Sequence, residues 1–234
     1  MNERLVARLT GLAALIAVPL YVIAMLLQGN PPGGTAGGAQ VIAYATAHHD
    51  ALLIAIYLTG LALALALCVS VGLAALLRGD GEGTGVIAVV GLVGGVGWVA
   101  TVLVGLLFPL GLVYRTPGGD PAVARLLLDL SALSFTLSGF PTAVNVGAFS
   151  LLMLRSRLFP NWLAWLGLLT GAAHLVAGAA FAHDGLFAPE VAAGQIAPAL
   201  YILWGLCIGM VLLRRAGSIA PARIGAVRPA AGAL

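Results

Sequence analysis

"LTGLAALIAVPLYVIAMLL" (9–27) runs for nineteen residues without one charged side chain. A helix needs about 20 apolar residues to cross the hydrocarbon core of a bilayer. Arg4 and Arg8 precede this stretch, as they would a secretory signal. Its apolar length exceeds the roughly 7–15 residues of a signal peptide's core, and no small-residue cleavage site follows, so it reads as a membrane span.

The rest of the chain agrees with that reading. Of 234 residues, 61% are hydrophobic and 8% are charged, with a mean hydropathy of +1.08. Soluble domains carry roughly 25% charged residues. A chain so poor in charge cannot cover a water-facing surface, and the class is an integral membrane protein. The net charge of +3 rests on 11 basic residues, all Arg. They are scattered, which argues against nucleic acid as a partner. Cys68 and Cys207 both lie within apolar runs and supply neither a disulfide framework nor a cysteine metal site.

Six runs meet the length requirement, at about 9–27, 51–77, 86–110, 130–154, 160–182 and 193–213. The expected fold is all-α: a polytopic bundle of six transmembrane helices over residues 1–215, followed by a mobile cytoplasmic tail, 216–234. With six spans, Arg4, Arg8, Arg78, Arg155, Arg157, Arg214, Arg215, Arg223 and Arg228 share one side, against only Arg115 and Arg125 on the other. The positive-inside rule then puts both termini in the cytoplasm of a cell (inner) membrane protein. "QGNPPGGTAGG" (28–38) cannot continue a helix, whereas "AQVIAYATAHHD" (39–50) forms a short helix lying on the outer surface before span two.

Polar residues inside the spans fall on stripes. At 100° per residue, Gly167, Gly171, His174 and Gly178 share one face of span five. Ser131, Ser134, Ser138, Thr142 and Asn145 share one face of span four, which Pro141 should kink by freeing the Leu137 carbonyl. Gly91, Gly95, Trp98, Thr101 and Gly105 form a third stripe in span three. Glycine stripes let membrane helices approach closely. His174 stands roughly 18 Å above Trp162, and Asn145 roughly 15 Å above Arg155, at 1.5 Å per residue. A polar layer near the midplane is therefore expected where spans three, four and five converge, with Thr142 or Asn145 as the hydrogen-bond partner of His174. Such residues often serve only as packing glue. An ionisable residue within a span is nevertheless a functional candidate by default, and His174, Asn145, Thr142, Ser138 and Trp98 form the candidate ligand-binding set.

Other chemistry is thinly represented. His48, His49, Asp50, His183 and Asp184 fall near the outer side and have the ligand types of a divalent-metal site. Adjacent histidines on a helix point about 100° apart, however, which weakens that alternative. "GDGEGTG" (79–85) lacks the Gly-Lys-Ser/Thr ending of a phosphate loop, and neither a GxSxG elbow nor an HExxH pair occurs. No cofactor is called for apart from that weak metal alternative.

"DLSALSFTLSGFPTAVNVGAFSLLMLRSRLFPNWLAWLGLLTG" (129–171) resembles a family of uncharacterised bacterial multi-span membrane proteins, common in actinobacteria and known only as a domain of unknown function. The Arg-flanked end of span four followed by "FPNWLAWLG" (159–167), and the short helix before span two, carry the resemblance. It covers residues 4–214 loosely and implies no reaction. The residues themselves favour binding or transport of a small apolar or weakly polar ligand through the midplane layer, with membrane lipid as the surroundings. A metal-dependent membrane enzyme with the outer His/Asp group, and a structural or regulatory subunit of a complex, are the alternatives. Few buried acids speak against an ion-coupled pump, and six spans are small for a secondary transporter unless it forms a homo-oligomer.

Overall fold

In the computed structural model, which describes residues 3–79, 81, 83–115, 119–180 and 192–218, every regular element is a helix. α1 spans Glu3–Gln28, α2 Gly38–Ala47, α3 His49–Leu77, α4 Thr84–Arg115, α5 Pro121–Leu137, α6 Gly139–Arg155, α7 Asn161–Ala177 and α8 Ala192–Ser218. α1, α3, α4, the α5–α6 pair and α8 are each long and apolar enough to cross a membrane, while α7 is a shorter apolar helix. The protein is a multi-pass membrane helical bundle.

The local signals act where the sequence places them. Gly29, at φ +63°, ends α1 in a left-handed conformation that a side chain disfavours. Asp120 accepts the Ala122 N–H at 2.8 Å and Pro121 opens α5, the usual chemistry of a helix start. Span four is two helices rather than one. They meet at Ser138, one turn before Pro141, where the ring removes the donor that would have reached the Leu137 carbonyl. α2 begins one residue before the expected stretch and stops at Ala47, and the chain turns directly into α3 at His49. α8 continues through Ser218, three residues into the expected tail, whose residues 219–234 lie outside the described ones.

Hydrophobic burial alone cannot order such a bundle, because lipid tails are as apolar as leucine. Leu9, Leu12, Ile16, Ile23 and Leu26 of α1 face outward, as do Val86, Val89 and Val93 of α4. The buried polar residues among those described are Thr10, Thr59, Ser70, Ser131, Ser138, Thr142, Asn145, Ser150 and Thr170. The scarce polar groups therefore turn inward. Neighbouring helices pack in the order α1, α3, α4, α6, α7, α8 and back to α1, a closed ring. α5 leans on α4 and on α2, whose Val41 and Ala45 are buried against Leu112, Val113 and Ala124. Arg125 binds the carbonyls of Gly33 and Ala36 at 2.8 and 3.2 Å and pairs with Asp129, so it fastens the 29–37 connector to α5.

Close approach depends on glycine at a few points. A Cβ on Gly94 would lie 2.6 Å from the Asn145 backbone nitrogen and 3.0 Å from the Pro141 carbonyl oxygen. Both are backbone atoms of α6 and cannot rotate aside. A Cβ on Gly139 would lie 2.6 Å from the His174 carbonyl oxygen, which sets the start of α6 directly on α7. Gly94→Val should therefore force α4 and α6 apart and cost roughly 1–3 kcal/mol, as overpacking does. Thermal unfolding of the purified protein checks this, and Gly97→Val, at a looser position facing Pro141 at 3.3 Å, should cost less.

Candidate functional site

Most hydroxyls of the polar stripes satisfy themselves locally. Thr59, Thr101, Ser134, Thr142 and Thr170 each donate to the carbonyl one turn back in their own helix, at 2.6–2.8 Å. Ser138 Oγ donates to Phe135 O at 2.6 Å. A short side chain can reach that carbonyl without leaving its helix, so a stripe of hydroxyls need not bond across an interface. Asn145 differs. Its amide donates to Ser70 Oγ of α3 at 3.2 Å and to Gly91 O of α4 at 2.8 Å, and the residue is buried. This one side chain ties three ring helices together.

The partner expected for His174 is not the one it has. Its Nδ1 lies 2.9 Å from Thr170 O in its own helix, not against Thr142 or Asn145. Asn145 faces the opposite side of α6, towards α3 and α4, where the glycines of α4 admit it. The imidazole instead meets Tyr201 of α8 edge-on, with ring centroids 5.8 Å apart. Tyr201 also packs on Trp98 of α4 at 5.1 Å.

These rings line a cavity of about 400 Å³ inside the helix ring. His174, Thr142, Ser138 and Trp98 all border it, and every ring helix contributes to its wall. Asn145 does not. It borders a second, far smaller void of about 40 Å³ with Ser70, Leu73 and Trp204. The large cavity extends to Pro31, Ala180 and Ala197, so it occupies the half of the bundle remote from Arg4, Arg78, Arg155 and Arg214. Much of its wall is alanine: Ala17, Ala62, Ala66, Ala132 and Ala177 leave the space that larger side chains would fill. No Asp, Glu, Lys or Arg borders it among the described residues.

Sequence reasoning missed Tyr21, Tyr201 and Phe135, which also border the cavity. The signal available was position. Membrane tyrosines concentrate at the interfaces, as Tyr114 does at the end of α4, whereas Tyr21 and Tyr201 stand within apolar spans.

His48 and His49 each have a partner close by in the chain. His48 Nδ1 lies 3.0 Å from Tyr44 O, and His49 Nδ1 lies 2.9 Å from Asp50 Oδ1. Among the described residues no three His, Cys, Asp or Glu side chains gather as metal ligands would. His183 and Asp184 lie outside the described residues.

The chain belongs to the family described as a domain of unknown function (DUF4386), whose model matches residues 9–216. No curated protein and no solved structure matches it.

Because His174 bonds only within its own helix while Asn145 bridges three, Asn145→Ala should destabilise more than His174→Ala. Interhelical bonds average about 0.6 kcal/mol, so the loss at Asn145 should be about 1 kcal/mol, with His174→Ala closer to zero. Unfolding of both variants in the same detergent gives the order, and a larger loss at His174 would reverse the assignment.

Proposed function

We propose that this DUF4386 protein binds a small, uncharged, mainly apolar ligand in the cavity of its helix ring, as a binding or transport protein of the cell membrane. The observation that carries this reading is the cavity itself. A volume of about 400 Å³ lies within the 300–1,000 Å³ range of ligand sites. A mostly apolar wall with a few convergent polar groups is the usual composition of such sites. Among the described residues the wall carries no ionised side chain and so offers no counter-charge, and burying an unpaired charge is very costly, which favours an uncharged ligand.

The topology proposed with it has six crossings, α7 providing the fifth. Its 17 residues span about 25 Å, close to the lower limit for a transmembrane helix. Six crossings set nine arginines on the cytoplasmic side with both termini, place α2 on the outer side, and turn the cavity end of the bundle outward.

The test is a comparison of the native chain with Ala66→Phe, which places a ring in the cavity. Both are purified from native membranes in nanodiscs and their bound small molecules extracted for mass spectrometry. A molecule retained by the native protein and depleted at least tenfold in the folded variant supports the reading. Identical extracts from the two proteins contradict it.

A further inference from the structure

The cavity wall is lopsided in its hydrogen-bonding chemistry. A carbonyl oxygen only accepts, so the contact between His174 Nδ1 and Thr170 O places the imidazole hydrogen on Nδ1. With no acid bordering the cavity among the described residues, the ring holds that single hydrogen, and Nε2 on its opposite edge is a bare acceptor. No described protein group donates to it. Ser138 and Thr142 have likewise committed their hydroxyl hydrogens, to Phe135 O and Ser138 O. Three polar side chains contributed by the α6–α7 side of the wall therefore have only lone pairs left to offer.

The other polar groups can donate: Thr136 and the two tyrosines carry hydroxyls that both donate and accept, and Trp98 carries an indole N–H. Trp98 Nε1 is a donor only, and the hydroxyls of Tyr21 and Tyr201 hold a hydrogen that no described protein group receives. A ligand that merely fills the space would leave His174 Nε2 unpaired away from water. A ligand with an acceptor alone, such as an ether or ketone, would be served by the donors but not by this acceptor face.

We infer that the ligand is a neutral hydrogen-bond donor, an alcohol, phenol or N–H heterocycle, whose O–H or N–H is received by His174 Nε2. This rests on the cavity being a ligand site, as proposed above, and adds the ligand's chemical class. His174 acts here as a specificity residue. Its own ring tautomer is fixed by the Thr170 carbonyl one turn below, so the helix backbone decides which ligands the imidazole can hold.

The probes are 1-naphthol and its methyl ether, 1-methoxynaphthalene, which differ in the donor and little else. Each is titrated calorimetrically into the full chain in nanodiscs, with empty nanodiscs subtracted. The native protein should bind the naphthol about tenfold or more tightly than the ether, the scale of one lost hydrogen bond with its acceptor left unpaired. His174→Phe keeps a ring against Tyr201 and breaks no interhelical bond, so it should fold. Its preference should fall to within about twofold, through weaker naphthol binding. His174→Gln, which retains an acceptor, should preserve part of the preference. Equal binding of the two probes in the native protein, abolished for both by Ala66→Phe, would overturn the donor requirement and leave the cavity site standing. Binding of neither probe above the empty nanodisc would overturn the inference, while the extraction comparison judges the cavity separately. A preference unchanged in His174→Phe would remove the role of His174.

Discussion

Two hydrogen bonds from a single amide organise this bundle. Asn145 sends one N–H to Ser70 Oγ and the other to Gly91 O, joining α6 to α3 and α4 inside a solvent where a wandering polar group has nowhere else to go. Unsatisfied groups in hydrocarbon cost several kcal/mol, which confines an asparagine at this depth to a position where both hydrogens are met. The register of α6 follows. With Asn145 facing α4, Phe149 one turn on packs over Gly91, and a Cβ there would stand 2.9 Å from its ring. Thr142, one turn back, is carried to the cavity.

The cavity is the other side of the same arrangement. The bundle closes through small residues: Gly94 on α6, Gly139 on α7, and Gly167 where a Cβ would meet both Ser150 Oγ and the Trp204 indole. In the half remote from Arg4, Arg78, Arg155 and Arg214, span four breaks at Ser138 and α5 follows α4 and α2 instead of continuing along α7. A ring that is tight at one end and lined with alanine at the other leaves a hollow. The break that Pro141 imposes and the void beside His174 thus belong to one geometric feature.

Much of this was legible in the residues. Charge-free length locates membrane helices because the backbone must satisfy itself in lipid, and no finer knowledge of packing is needed. The glycine and hydroxyl stripes give the inward faces by helical arithmetic, which holds for Gly91 and Gly95 as for Thr142. Partner choice was not legible. Placing His174 and Asn145 at one depth says nothing of which way round α6 each lies, and the two occupy opposite sides of it. The stripe also exaggerated cross-helix bonding, since serine and threonine find a carbonyl in their own helix. The aromatic wall escaped notice because Tyr201 belongs to α8, and only ring closure brings α8 between α7 and α1.

The bridge from α6 to α3 is tested most directly by a double-mutant cycle of Ser70→Ala and Asn145→Ala, read as unfolding free energy in one detergent. Residues that share a hydrogen bond are coupled, and for membrane helices the coupling averages about 0.6 kcal/mol and reaches about 1.7. A coupling within that range is predicted. Strict additivity of the two substitutions would contradict it, and with it the inward register of the fourth span.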